Sequence, residues 1–473
     1  MRTLMTGVCL MTMVALTGPA WAVDRELVEQ AHEALRTTVT YLVEEVAVGG
    51  GYAGSYLADL SDQWGEGSIT ATMNWVQPPG SPSTGMAFLR AWEATGDPLF
   101  LDAAKKNAES LVWGQLACGG WDYNIDFSPE GEQRWFYRRN VGSDDERLTS
   151  GRNVGTMDDN VTQHATRLLI AVDRALTEAG QPDDSIHEAA MVALDYLLEA
   201  QKEGGAWPQR FPLRERGYQN FMTFNDGTIR DCLDVMMIAY RAYGDQRYYD
   251  AVVACGDFII KSQLPEPQPI WAQQYDYDLQ PAWARRMEPA SACAGESAGV
   301  LRMLPEITLF TGDTRFLDPI PAAAAWYERS RLEDGRWARF YELKTNMPLM
   351  QISMERTAYW LSYEDHDTPD HYAFKGSWGN AVPGVAEVAE RILEVGPEEY
   401  ARQRQERVLT AEERLDRARG MEDSVRQVLD ARTENGVWLS TGGYGPNVQH
   451  LNMRTVQQNM GVLSNYLALA LAD

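Results

Sequence analysis

Two short acidic stretches stand where a loop gives way to a helical apolar period: Thr156-Met157-Asp158-Asp159-Asn160-Val161-Thr162 and Thr223-Phe224-Asn225-Asp226-Gly227. A carboxylate in that position has two uses. It caps free N–H groups of the first helical turn, or, beside a second one, it offers oxygen ligands to a hard cation. On the second reading the carboxylate and the asparagine of each stretch share one cation. Two later stretches set arginine near tryptophan: Pro281-Ala282-Trp283-Ala284-Arg285-Arg286-Met287-Glu288-Pro289 and Trp337-Ala338-Arg339-Phe340-Tyr341-Glu342. Guanidinium grips a carboxylate in a fork while indole stacks on a ring, which suits a sugar acid. The competing reading is an ion pair with Glu288 or Glu342 that only supports the loop. Between these stretches lies Gly204-Gly205-Ala206-Trp207-Pro208-Gln209-Arg210-Phe211-Pro212, an irregular aromatic loop of the kind that hosts binding sites. There Trp207 either meets a ligand or plugs the core.

The elements that must position these residues are helices. Ile229, Cys232, Leu233, Met236, Met237 and Tyr240 share one helical face, as do Ile186, Ala190, Leu194, Leu197 and Leu198. Helices come in pairs, joined by turns such as Thr95-Gly96-Asp97, Tyr243-Gly244-Asp245 and Thr311-Gly312-Asp313. Each pair exits into a loop with an aromatic, at Trp121, Trp207, Trp271 and Trp337, spaced 86, 64 and 66 residues apart. Stacked two-helix units extend as a solenoid or close on themselves. About five units with long, dissimilar exits favour an all-α, incomplete (α/α) toroid whose exit loops share one rim. Residues 23–395 are assigned to this toroid, 396–433 to a charged helical segment, and 434–473 to a closing helix near the N-terminal one. No run of alternating β-branched residues competes with the all-α reading.

Composition sets outer limits. Met1-Arg2, the apolar run Val8–Leu16 and Ala20-Trp21-Ala22 fit a signal peptide over residues 1–22, so export to the periplasm or exterior is expected. Acidic residues number 68 against 42 basic, a net charge of −26, or −27 once Arg2 leaves. That field opposes nucleic acid and anionic membranes. A polyanionic substrate would need clustered arginines and a divalent cation. No membrane span, Gly-x-Ser-x-Gly, His-Glu-x-x-His or phosphate-binding Gly-Lys loop is present, and the histidines lack ligand spacing. His164 reads as a core residue. The cysteines that would remain, Cys118, Cys232, Cys255 and Cys293, are too dispersed for a disulfide framework.

Taken in order from Thr156 to Asn346, these motifs resemble the tenth polysaccharide lyase family, pectate lyases with an (α/α) toroid domain. The resemblance rests on Trp207-Pro208-Gln209, Thr223–Asp226, Pro281–Glu288 and Trp337–Asn346. It implies calcium-assisted anti-β-elimination of polygalacturonate or a related uronan by a monomeric enzyme. In that scheme Arg285 is the catalytic base, Trp207, Asn225 and Arg339 bind substrate, and Asp159, Asn160 and Asp226 serve calcium. An arginine base implies an alkaline optimum, since its reference pKa lies above ~12. After Asn346 the family's arginine-containing loop gives way here to Met347–Met354, leaving Arg356 or Lys344 as replacements, or none. Two other readings are an acidic-oligosaccharide hydrolase with Asp159 and Asp226 as acid and base, and a glycan-binding protein without catalysis.

Overall fold

In the computed structural model, residues 23–471 are described except 203, 215–216, 356–357, 365–372, 406, 444 and 446. The signal-peptide expectation over residues 1–22 and the role suggested for Arg356 lie outside the described residues.

Among the described residues, fifteen helices carry the fold. They are α1 (Arg25–Tyr41), α2 (Ser81–Thr95), α3 (Pro98–Gly114), the short α4 (Pro129–Arg134) and α5 (Glu146–Thr149), α6 (Val161–Glu178), α7 (Asp184–Ala200) and α8 (Thr228–Tyr243). Then come α9 (Gln246–Ser262), α10 (Ala294–Thr311), α11 (Ile320–Arg329), α12 (Val382–Val395), α13 (Pro397–Arg404), α14 (Ala411–Asp430) and α15 (Met453–Leu471). Helices α15, α2, α6, α8, α10 and α12 pack side by side in that order as an inner row. Outer partners lie against them: α14 on α15, α3 on α2 and α6, α7 on α6, α9 on α8 and α10, α11 on α12. The result is an incomplete α/α toroid. Its N-terminal helix α1 rests on α14 and α15, the latter of which also packs on α2.

The connections follow from backbone chemistry. Gly96, Gly244 and Gly312 end inner helices at φ 68°, 71° and 78°, a left-handed cap that side chains disfavour. The next residue, Asp97, Asp245 or Asp313, caps the following helix by accepting from a backbone N–H two positions on. Each inner-to-outer turn is therefore tight. Each return from an outer helix to the next inner one is long, and all the long returns gather on one rim. The core between the rows is apolar, with Leu168, Leu194, Leu197, Ile229, Leu233 and Phe258 almost wholly buried.

The charged stretch is not an appendage, because its α14 is the outer helix of the last hairpin. One departure from the all-α expectation is a β-hairpin, Pro348–Glu355 with Ala358–Ser362, in the segment that departs from the lyase pattern. The hairpin is part of a four-stranded sheet; the strands outside it are two or three residues long, five of them joined in one small sheet and the rest in pairs. Cys118, Cys232, Cys255 and Cys293 are free thiols.

Candidate active site

The two acidic stretches form one motif built twice. Strand Gly155–Thr156 pairs with Arg210–Phe211, and strand Met222–Thr223 with Gln274–Tyr275. Thr156 Oγ1 accepts from Asp158 N at 3.2 Å, and Thr223 Oγ1 from Asn225 N at 3.1 Å. Met157 N donates to Gln209 O at 2.7 Å, as Phe224 N does to Gln273 O at 2.8 Å. Both chains then turn left-handed at a non-glycine residue: Asp159 has φ 50°, ψ 29° and Asp226 φ 49°, ψ 29°. Such a backbone costs roughly 1–2 kcal/mol at each residue. It is held by the surrounding ladder and threonine hooks, and strain of this kind clusters at functional sites.

The consequence is convergence of charge. Carboxylate oxygens of Asp158, Asp159 and Asp226 all lie within 4.8 Å of one another. Neither α6 nor α8 has a side-chain N-cap bond, so capping does not account for these acids. Asp158 is held by Gln209 Nε2 at 3.1 Å and Asp159 by the Tyr123 hydroxyl at 2.9 Å. Burial, then Asp159 and Asp226, raise the Asp158 carboxyl to about 7. The desolvating cleft walls and then Asp159 push Asp226 upward too. Three acids in this state suit a divalent cation, and their all-oxygen donor set suits a hard one.

Arg285 and Glu288 stand at one edge. Glu288 is 2% exposed and accepts from Arg285 Nε at 2.9 Å, Nη2 at 2.7 Å and the Arg285 backbone N at 3.0 Å. Burial pushes its carboxyl up, but the bidentate guanidinium pulls harder and holds it below the ordinary range. Arg285 nonetheless lies near enough to the triad to act electrostatically on both Asp158 and Asp226. Further round, Arg339 Nη1 lies 3.5 Å from Glu296 Oε1 and its guanidinium sits over Trp378 at 5.3 Å. Burial raises Glu296 to about 7 against the pull of Arg339, with Asp226 and Glu288 adding repulsion. Arg285, Arg339, Asp159 and Asp226, dispersed over 181 residues of chain, are thus brought to one rim.

Three site expectations need correction. Trp207 is fully buried and its indole N–H donates to Leu197 O at 2.8 Å. The same bond recurs at Trp121 to Leu111, Trp271 to Ile259, Trp337 to Tyr327 and Trp438 to Val428. Each accepting carbonyl is in the last turn of an outer helix, where carbonyls lack intrahelical donors. Exit tryptophans are therefore helix-end plugs, and the exposed tryptophan in these stretches is Trp283, 48% accessible. Asn225, 5% exposed, donates its amide to Asp226 Oδ2 and so orients that carboxylate rather than meeting solute. Asn160 turns its amide oxygen to Arg167 Nη1 at 2.7 Å, and Asp158 takes its place in the cluster.

Asp158, Tyr123, Gln209 and Glu296 went unassigned in the sequence. A signal existed for the first: Asp158 aligns with Asn225, directly before the paired Asp159 and Asp226. None existed for Glu296, an ordinary first-turn acid of α10 until Arg339 is brought beside it.

Residues 115–336 match the model of the pectic acid lyase family. This segment is therefore similar to pectic acid lyase domains. Its helices α6 to α9 and both acidic turns fall inside the match, while Arg339 lies just beyond. Among solved structures, a family 10 polysaccharide lyase from Cellvibrio cellulosa is similar at 24% identity over 60% of this chain and 91% of that one, with TM-score 0.45. A D189A mutant of that lyase, in complex with trigalacturonic acid, shows 22% identity over 66% and 98%, TM-score 0.45. A D-mannose isomerase is similar over 96% of this chain and 99% of its own at 14% identity, TM-score 0.45. No curated protein sequence matches significantly. The matched segment is the middle of the toroid, flanked by α1–α3 and α12–α15.

Proposed function

We propose that this polysaccharide lyase is an exported, calcium-dependent pectate lyase that cleaves polygalacturonate, or a closely related uronan, by anti-β-elimination. The observation that carries the proposal is the triad Asp158, Asp159 and Asp226, gathered within 4.8 Å on strained turns with Arg285 at its edge. A uronate carboxylate cannot approach three acids unaided. Asp158, Asp159 and Asp226 would hold the calcium, which when bound screens this repulsion and, by drawing charge from the substrate carboxylate, acidifies the adjacent C5–H. Arg285, once it has lost a proton to solvent at alkaline pH, receives the C5 proton. The C5–H electrons form the C4–C5 double bond, the C4–O bond breaks, and the glycosidic oxygen leaves to be protonated from solvent. Arg339 grips a uronate carboxylate beside the reacting sugar, with Glu296 orienting it.

Glu288 has a defined part in this scheme. Its bidentate grip fixes the guanidinium plane so that the remaining edge of Arg285 points along one direction. It also keeps the arginine charged at rest, so turnover rises toward alkaline pH.

The hydrolase reading fits the geometry less well. Paired carboxyl groups in retaining and inverting glycosidases stand about 5–5.5 and 6.5–9.5 Å apart to flank a bond. Here Asp159 and Asp226 meet within 4.8 Å, as ligands of one ion do. The test is Arg285→Ala assayed by ultraviolet absorbance of the unsaturated uronide. Loss of turnover with retained oligogalacturonate binding and an unchanged melting temperature supports the assignment; wild-type turnover refutes it.

A further inference from the structure

Arginines in this cleft are mostly paired. Arg285 is held by Glu288, Arg339 by Glu296 and Arg152 by Asp122, whose Oδ2 lies 3.1 Å from Arg152 Nη1. Arg210 differs. Among the described residues it has no ion-pair or hydrogen-bond partner for its guanidinium, and its Nε is buried without one. Arg210 lies on the strand paired to the one that leads into Asp158, directly opposite Thr156, and the preceding Gln209 holds Asp158 itself.

Its neighbours add positive charge. Arg152 N donates to Arg134 O at 2.9 Å, and Arg152 also senses Arg210, Arg214 and Arg134 electrostatically. Arg134 stacks over Trp135 at 4.6 Å. Asp122, which also accepts from Trp135 Nε1 at 3.2 Å, is the carboxylate that the described residues ion-pair to this group of four arginines. In a chain of net charge −26, a local excess of guanidinium is a place where an anionic substrate meets a favourable field. Arg210 and Arg285 both act electrostatically on Asp158.

We infer that Arg210, backed by Arg152 and Arg214, forms a subsite for the carboxylate of a second, non-reacting uronate beside the acidic triad. The inference rests on the proposed uronan substrate. It adds a specificity determinant: a run of at least two free carboxylates is required, one at the triad and one at Arg210. A methyl ester at the second sugar removes the charge that Arg210 reads.

The experiment compares wild type, Arg210→Gln and Arg210→Lys in two measurements. Steady-state lyase kinetics are run on polygalacturonate and on partly methyl-esterified pectin, and binding of trigalacturonate is followed by calorimetry with calcium. Arg210→Gln is expected to raise KM on polygalacturonate about tenfold with kcat within about twofold, to weaken trigalacturonate binding similarly, and to narrow the preference for unesterified substrate. Arg210→Lys is expected to recover part of the charge effect but not the forked geometry. Unchanged KM, binding and esterification preference in Arg210→Gln would overturn the subsite. A wild type that binds trigalacturonate without eliminating it would instead overturn the lyase reading, and the calorimetric comparison would still decide Arg210.

Discussion

The turn entering α6 and the turn entering α8 share a backbone: the same threonine hook, the same ladder bond to a glutamine carbonyl, and aspartates at φ 50° and 49°. They differ in the residue before that aspartate and the one after. The α6 turn reads Asp158-Asp159-Asn160, the α8 turn Asn225-Asp226-Gly227. One supplies two carboxylates, and its asparagine is tied to Arg167. The other supplies one, tied to its own asparagine, and resolves the second left-handed position with glycine at φ 72°. Repetition thus provides the scaffold that aims side chains into the ring mouth, and divergence within the repeat sets the number of charges there.

Breaking the shared part should cost most. Asp226→Ala removes the α8 turn's carboxylate and is expected to lower kcat/KM by roughly 10³-fold or more, with calcium no longer stimulating, since electrostatic stabilisation at a reacting centre carries effects of this size. Retained calcium-stimulated turnover would show that the α6 turn suffices. Making the turns alike is a milder change. Asp158→Asn copies Asn225 into the α6 turn and should weaken calcium binding about 10- to 100-fold, read by titrating activity against free calcium, while leaving kcat at saturating calcium largely intact.

The same difference has a pH signature. Asp158 and Glu296, both raised to about 7, keep their protons in the folded chain where ordinary carboxyls titrate near ~4. Between roughly pH 4 and 7 the folded state therefore binds more protons than the unfolded one, and stability falls as pH rises through that window. In chelator, melting temperature should drop on the order of a few degrees from pH 5 to pH 8. Asp158→Asn should flatten the decline, and calcium should oppose it. The smallest effect is expected at the exit tryptophans. Trp207→Phe removes one buried indole donor and should cost about 1–3 kcal/mol of stability, seen in denaturant melts, with KM unchanged; a raised KM would restore Trp207 as a sugar platform.

Much of this was readable from the chain. Period-3.6 faces and Gly-Asp turns specify paired helices, and the spacing of Trp121, Trp207, Trp271 and Trp337 marks the repeat. What the spacing conceals is direction. A tryptophan after glycine looks the same whether it stacks on a sugar or donates to the last turn of the helix ten residues back, and only packing separates Trp207 from Trp283. Ligand identity was similarly hidden within Asp158-Asp159-Asn160. Three adjacent oxygen-bearing residues cannot all face one point, and Arg167, two helical turns later, decides that Asn160 faces away. Glu296 stands out only when the fold brings Arg339 beside it. The hairpin at Pro348–Ser362 carried a broken family pattern but no strand signal strong enough to displace the helical expectation.

The most direct measurement is ultraviolet absorbance of polygalacturonate incubated with the purified chain from neutral to alkaline pH, with calcium and with chelator. A calcium-dependent rise that steepens toward alkaline pH, absent in Asp226→Ala, is the predicted result. New reducing ends without unsaturated product, or turnover indifferent to chelator, would contradict a cation-assisted elimination at the twin turns.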